Sequence, residues 1–354
     1  MSEITRNDSL SQSLIPTPWR IAQGAVFAVG AAIFFLLIFA PTLGIHALWN
    51  ILVPVAPALV LLTPGLWRNI CPLATANQLV AKPLEDGAGG VSAYSQGVLL
   101  LIAIAALFVI IPIRHPLLNE NATASAVALA LMFASAVLAG RLFPRKSGWC
   151  SGLCPIHPVE RLYGSTNVAY APSNGHCATC KGCVPACTDN RCRGDGIYEE
   201  ELGRFGTVAT YLMCGVFPGY VFGWFQVADV RGSATAAEWL SAYTWPIGAG
   251  VVSLALWAVI RRGVSQRTAT AISGATTLIA YYFHRLPALV GFGPHPGDGM
   301  LVDLSGDLPS WTEASLQGAV VVLAVIWFLR RRQRSASWFR QPEKSLGQPG
   351  FLQV

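Results

Sequence analysis

The sequence is poor in charge. Asp, Glu, Lys and Arg make up 12% of the 354 residues, against roughly 25% in soluble domains, and none of them occurs in residues 21–67. An ordinary soluble fold is therefore excluded, because its helices would carry polar faces at helical period. A bilayer crossing needs only about 20 apolar residues. Residues 21–67 are thus long enough for two crossings, with a helix-stopping run at 41–44 between them.

Further charge-free stretches follow, and together with the first they predict an all-α integral membrane protein with about eight transmembrane helices. Buried helices of a large soluble protein are the alternative, but the stretches lack the polar positions that such helices need. Residues 268–283 form a short stretch rich in Thr and Ser, which we expect to be tilted or shielded by its neighbours. The later stretches are 97–113, 122–140, 205–228, 239–260, 268–283 and 314–329.

The distribution of basic residues predicts the orientation. If the N-terminus is inside, all 24 Lys and Arg residues except Arg114, Arg231 and Arg285 fall in inside segments. Since cytoplasmic loops are rich in Lys and Arg, we expect a multi-pass protein of the bacterial inner membrane with both termini in the cytoplasm. The net charge of +6 then follows from topology and does not indicate nucleic-acid binding.

The predicted crossings divide the chain into five segments. A cytoplasmic tail (1–20) precedes a four-helix membrane half (21–140), and a second four-helix half (206–330) precedes a basic cytoplasmic tail (331–354). Between the halves lies a cytoplasmic segment (141–205), which contains seven of the nine cysteines. We therefore expect the chemistry of the protein in this small segment.

A weak internal repeat is visible in the first half. The pairs Cys71-Pro72 and Cys154-Pro155 each follow the second helix of a predicted hairpin, and a tryptophan precedes each pair, Trp67 and Trp149. A duplicated hairpin that ends in a cysteine loop would place both loops side by side at the inner surface.

The sharpest motif is a C-x2-C-x2-C-x3-C run, formed by Cys177, Cys180, Cys183 and Cys187. This spacing is typical of ferredoxin iron-sulfur ligands, although Thr188 stands where ferredoxins have proline. A zinc site usually has two C-x2-C pairs with a longer spacer, and a reducing cytoplasm disfavours disulfides. The run predicts a small ferredoxin-like iron-sulfur loop domain.

Cys150 and Cys154 form a C-x3-C-P pair at the start of a predicted helix, whose N-terminal N–H groups suit an anionic cluster. The pair, the run, Cys71 and Cys192 supply enough thiolates for two [4Fe–4S] clusters; one cluster with spare cysteines is the alternative. The preferred partition places the first three cysteines of the run on one cluster, and Cys187, Cys150 and Cys154 on the other. Cys214, within a predicted crossing, is expected only to pack.

These Cys-Pro loops and the ferredoxin run resemble the NapH/NosR-type membrane iron-sulfur proteins over residues 21–205. The resemblance implies [4Fe–4S] clusters at the cytoplasmic face that feed or regulate respiratory enzymes. The family pattern has two full C-x3-C-P loops and two ferredoxin runs. Here Trp67 stands at the position of the first cysteine of the earlier loop, and only one run is present.

The resulting functional hypothesis is electron transfer between a cytoplasmic or quinol donor and a respiratory or other redox partner. The chain would be a subunit of an oxidoreductase system rather than a stand-alone enzyme. A redox-sensing, assembly or scaffold subunit of a membrane metalloenzyme complex is the alternative. Transport is disfavoured, because the predicted crossings contain no acids or bases.

Membrane lipid and a protein redox partner or larger membrane complex are the expected partners. Basic residues among the cysteines would suit docking of an acidic cytoplasmic ferredoxin or flavodoxin, although topology alone also explains their presence. They are Arg145, Lys146, Arg161, Lys181, Arg191 and Arg193.

The histidines give a weaker signal. Those near the predicted outer surface would suit a haem or a quinone pocket, but hydrogen bonds to head groups or loop carbonyls are the favoured interpretation. They are His46, His115, His284 and His295. His157 and His176, next to expected ligands, are predicted to tune a cluster through hydrogen bonds.

Overall fold

The structure, a computed structural model, describes residues 17–62, 67, 70–81, 91–143, 148–164 and 202–330. This part of the chain is helical and contains no β-strand. The predicted ligands Cys177, Cys180, Cys183, Cys187 and Cys192, with most of the predicted ferredoxin-like domain, lie outside the described residues.

The first half begins with two long segments that fold back on each other at Ala40. A π-helical segment, His46–Leu52, joins α2 to α3; a second, Arg114–Leu118, extends α5; and a third, Trp149–Leu153, precedes α7. The helices are α1 (Thr17–Phe39), α2 (Pro41–Ile45), α3 (Val53–Leu62), α4 (Pro72–Val80), α5 (Ala93–Ile113), α6 (Ala122–Leu142) and α7 (His157–Gly164).

The second half contains five helices, and its helix starts are set by local chemistry. Thr235 and Glu238 form a reciprocal capping box at α10, and the Ser265 hydroxyl accepts the N–H of Thr268 at the start of α11; both satisfy amides that a helix leaves open. The helices are α8 (Arg204–Thr210), α9 (Phe217–Trp224), α10 (Ala236–Gly263), α11 (Gln266–Leu289) and α12 (Thr312–Arg330), with π-helical Tyr211–Val216 between α8 and α9.

Seven helical segments of the described chain are long and apolar enough to cross a membrane, which makes this a multi-pass membrane protein. Each matches a predicted crossing. The segments are Arg20–Phe39, Pro41–Leu61, Ala93–Leu118, Ala122–Leu142, Arg204–Trp224, Ala236–Gly263 and Thr312–Leu329.

The eighth predicted crossing, 268–283, lies within α11, whose composition is less apolar. Within 268–283 three polar residues are buried, Thr270, Ser273 and Thr277. The Ser273 hydroxyl donates to the carbonyl oxygen of Cys214 at 2.7 Å, so the polar side of α11 packs against the segment between α8 and α9. Neighbouring helices thus shield this stretch, as its composition predicted.

α9 and α10 approach closely along a stripe of glycines, Gly215, Gly219 and Gly223. A Cβ atom at Gly215 would lie 2.5 Å from the Leu254 side chain, and one at Gly219 would collide with the carbonyl oxygen of Ala249. Small residues four apart allow membrane helices to pack backbone against backbone. The glycines therefore set the distance between α9 and α10.

The bundle has two chemically different ends. The cysteine face contains the π-helical Trp149–Leu153 turn and the start of α5, where Gln96 donates to the carbonyl oxygen of Ser151. The arginine face contains Arg114 and Arg285, both buried. Arg114 lies inside the segment Ala93–Leu118, directly after the predicted charge-free crossing 97–113.

Candidate metal centre at the cysteine face

The Cys71 loop ends in a short helix that begins at proline. The Cys71 amide donates to the carbonyl oxygen of Trp67 at 2.8 Å, and Pro72 occupies the first position of α4. Proline fits this position because its missing N–H has no partner to lose there, and its fixed φ suits the helix. Cys71 is therefore the N-cap residue of α4.

The Cys154 loop repeats this arrangement with one extra residue. The Cys154 amide donates to the carbonyl oxygen of Trp149 at 2.9 Å, across the π-helical turn Trp149–Leu153. Trp67 therefore corresponds to Trp149 and not, as the C-x3-C-P spacing suggested, to Cys150. The additional residue of the second turn accommodates Cys150. In both loops, the amide of the cysteine therefore donates to the carbonyl oxygen of the preceding tryptophan.

Backbone amides act on both loop thiols. The amides of Leu73 and Ala74 lower the pKa of Cys71, and those of Ile156 and His157 lower the pKa of Cys154, although burial outweighs them. In both loops these are the second and third residues after the cysteine. Amides at a helix start carry partial positive charge, so both positions stabilise an anionic sulfur.

Three thiols are gathered at this end of the bundle. Cys71 interacts electrostatically with Cys150, and Cys154 interacts with Cys71. Burial is the main cause that raises the pKa of Cys71 and of Cys154 to about 12, and the neighbouring thiols and Glu160 add to it. Both thiols are therefore neutral at physiological pH unless a cation or cluster binds them.

The described residues do not form a complete metal site. Within the ranges that the structure describes, no group of three or more His, Cys, Asp or Glu side chains is close enough to hold a metal ion. Of the eight predicted ligands, the described residues include Cys71, Cys150 and Cys154, which interact electrostatically without forming a metal-binding group. The remaining cysteine of the described chain, Cys214, lies 4.0 Å from the Thr270 hydroxyl in the bundle, which agrees with a packing role.

The cysteine loops are buried rather than exposed at the membrane surface. Cys71 and Cys150 are 8% and 5% exposed and belong to the main apolar core. A Cβ atom at Gly30 would lie 2.9 Å from the Pro72 side chain, so Pro72 contacts α1 about 20 Å along its axis from Thr17. The first loop therefore reaches into the bundle, where non-helical backbone is tolerated because protein surrounds it.

The short helix α7 adds buried polar groups beside the thiols. His157, Glu160 and Arg161 are all buried, and Glu160 interacts electrostatically with both Cys71 and Cys154. Arg161 is thus unable to dock a soluble partner, which corrects one member of the predicted basic docking set. The other five members lie in segments that the structure does not describe.

Two amide side chains that sequence reasoning missed hold the loops in place. Gln96 of α5 donates to the carbonyl oxygen of Ser151, and fully buried Asn77 of α4 donates to that of Ala136 at 3.0 Å. The sequence could have indicated them, because each is a polar residue beside an apolar stretch. A polar residue of this kind needs a hydrogen-bond partner when it is buried.

The donors present fit an anionic iron-sulfur cluster in chemistry. Cys71 and Cys150 are buried and Cys154 is partly buried. Backbone amides act on the thiols of Cys71 and Cys154, an environment that tunes iron-sulfur potentials. Comparisons with protein-family models, with curated proteins and with solved structures find no match for this chain.

Proposed function

We propose that the chain is a membrane-bound electron-transfer protein that holds [4Fe–4S] clusters at its cysteine face. The pairing of Cys71 and Cys154 is the observation that carries the proposal, since each cysteine precedes a short helix and the backbone amides two and three residues further on lower the pKa of each thiol. Cys150 is the third thiol, and we expect the remaining ligands among Cys177, Cys180, Cys183, Cys187 and Cys192.

The chain's own residues would hold the cluster in a fixed, water-poor environment. The amides of Leu73, Ala74, Ile156 and His157 lower the pKa of the two cysteines, which favours the anionic state that a ligand thiol needs. The bound cluster would supply one-electron redox chemistry. Buried Arg161, on α7 next to this loop, is a cation that favours added negative charge.

We further propose the orientation that the basic residues predict, with the cysteine face in the cytoplasm of the inner membrane. A cytoplasmic donor or quinol would then supply electrons, and a protein redox partner in the membrane would receive them. The resemblance to NapH/NosR-type proteins supports this assignment, and the two tryptophan-anchored Cys-Pro turns add a structural argument for the duplicated hairpin.

Anaerobic purification in detergent, with iron and sulfide analysis and EPR of the reduced protein, tests the proposal. We expect about eight irons per chain for two clusters, or about four for one. Replacement of a ligand should remove the iron of its cluster, so Cys154→Ser should lower iron content by about four per chain. Cys214→Ser is the matched control, because Cys214 packs inside the bundle, and it should retain full iron content.

Several results would contradict the proposal. Purified protein that is colourless and contains zinc in place of iron would exclude an iron-sulfur centre. Equal iron contents in the two cysteine variants would exclude the Cys-Pro loops as ligands. Clusters that a donor reduces and an acceptor reoxidises rapidly indicate electron transfer, whereas clusters that change only slowly with an oxidant indicate the sensor function instead.

A further inference from the structure

The arginine face contains a pocket at the opposite end of the bundle from the cysteines. Its empty space is about 410 Å³, including the part open to solvent. Most of its exposed wall is apolar, with Phe225 as an aromatic surface, and polar side chains are set into that wall. The polar groups that the argument uses belong to His115, Trp224, Asp229, Arg285 and Asp298.

Two buried arginines stand beside this pocket, and neither forms an ion pair with a carboxylate of the described chain. Arg114 is 6% exposed and lies between two indoles, 4.4 Å from the centre of Trp49 and 4.7 Å from that of Trp224. Arg285 is 3% exposed, and its Nη2 donates to the carbonyl oxygen of Trp49 at 2.8 Å and to Asn50 Oδ1 at 2.7 Å. The groups that contact the two guanidinium groups are thus uncharged.

His115 links the pocket wall to its carboxylate. Its Nδ1 lies 2.6 Å from Asp229 Oδ1, and its Nε2 lies 2.9 Å from the carbonyl oxygen of Trp224. Both ring nitrogens of His115 are therefore engaged within the protein, and Asp229 already has a partner on this side.

Around this pocket, buried negative charge is scarcer than buried positive charge. Burial acts to raise the pKa of Asp229, but hydrogen bonds from His115 and Asn119 lower it below its usual value, so Asp229 is ionised. Asp298 is only partly buried; it accepts the Asp229 amide, and burial raises its pKa. The two buried guanidinium groups therefore share one buried carboxylate, which His115 and Asn119 also contact, and charges removed from water need a counter-charge.

Unused hydrogen-bond donors line the same pocket. Arg285 Nε and Trp224 Nε1 are buried and have no hydrogen-bond partner within the described chain. Both groups are donors only, and leaving one buried without a partner costs about 1–3 kcal/mol. The missing partner must therefore be an acceptor, and the charge balance requires it to be negative.

We propose that this pocket binds a small oxyanion, which Arg285 and Trp224 hold through their unused N–H groups. The anion could come from the aqueous phase at this face or be the phosphate of an anionic lipid. Two opposite substitution effects follow. Loss of the Arg285 Nε donor should weaken binding, and loss of the Asp229 charge should strengthen it.

Isothermal titration of the full-length protein in detergent with sodium phosphate, at constant ionic strength, tests the first source. We expect saturable binding, about ten-fold weaker in Arg285→Lys, which retains the charge but lacks the Nε donor. Asp229→Asn should bind more tightly than the native protein. Arg141→Lys is the control, because Arg141 is exposed at the far end of α6, and it should bind as the native protein does.

Native mass spectrometry tests the lipid source. A retained anionic phospholipid that is lost in Arg285→Lys but kept in Arg141→Lys would assign the oxyanion to a lipid head group, even if free phosphate does not bind. The proposal is overturned if phosphate gives no saturable signal and no anionic lipid is retained. It is also overturned if Arg285→Lys and Arg141→Lys behave alike in both measurements. Neither readout depends on metal content.

Discussion

Replacement of Asp229 by asparagine should destabilise the arginine face strongly. The Asp229 carboxylate accepts from His115 Nδ1 and from Asn119 Nδ2, both at 2.6 Å, and it acts electrostatically on Arg114 and Arg285. Asp229→Asn keeps the shape of the side chain but removes its charge. The perturbation therefore isolates electrostatics from packing.

The expected magnitude follows from the burial of this pair. Both side chains of the His115–Asp229 pair are about 95% removed from solvent, and breaking a buried pair by removing one partner costs about 3–5 kcal/mol. The cost is high because the two arginines remain buried without their carboxylate, and His115 loses the acceptor at its Nδ1. An exposed pair would contribute about 0–1 kcal/mol.

Unfolding of the detergent-solubilised protein by SDS titration would measure this loss. Asp307→Asn is the matched control, because Asp307 is an exposed carboxylate on the same face and its loss should change the free energy of unfolding by under about 0.5 kcal/mol. Equal effects of the two substitutions would refute the reasoning. The pKa of Asp229 is lowered from 3.8, so its contribution should be complete above pH 3.8 and lost as the pH falls through the lower folded value.

Two further predictions concern the glycine stripe and the thiols. Gly219→Ala should destabilise the protein because its Cβ would collide with the Ala249 carbonyl oxygen, whereas Gly248→Ala, on the exposed side of α10, should be neutral; equal thermal shifts would contradict the close approach. In metal-free protein, Cys71 and Cys154 should react with iodoacetamide about 1,000-fold more slowly at pH 7.5 than in the denatured chain. The reason is that burial raises their pKa from the ordinary 9.0 to about 12, and only the thiolate reacts. The rates, measured by mass spectrometry, should rise about ten-fold per pH unit beyond pH 9; rates equal to those of the denatured chain at pH 7.5 would show that the thiols are not protected.

The helices could be predicted because the absence of charge is itself the signal for a membrane crossing. Composition distinguishes α11 from the other helices, because α11 is rich in Thr and Ser. The structure shows residues of this kind buried against neighbouring helices, which is a tertiary relation that a hydropathy count does not contain. The Cys-Pro repeat was also visible. Its alignment was not, because the π-helical turn at Trp149 adds a residue that only hydrogen bonds reveal.

The arginine face could not be predicted from the sequence. Arg114 and Arg285 counted as ordinary outer-loop charges, but the structure buries both against Trp49. The contacting residues are far apart in the chain, and no local pattern links an arginine to an indole many residues away. Their burial follows from how the helix ends converge, which is decided by the whole bundle. His115 and His284 contact the carbonyl oxygens of Trp224 and Ala280, which belong to the helices α9 and α11, whereas the favoured interpretation expected loop carbonyls.

The tryptophan-anchored turns have a consequence for assembly. Trp67 and Trp149 are both buried in the same apolar core, and their carbonyl oxygens hold the amides of Cys71 and Cys154. The spacing between these two sulfurs is thus fixed by indole packing and not by whatever the sulfurs bind. The backbone at the two cysteines would therefore keep its position without a cofactor, so removal and reinsertion of a cofactor should leave the surrounding fold intact.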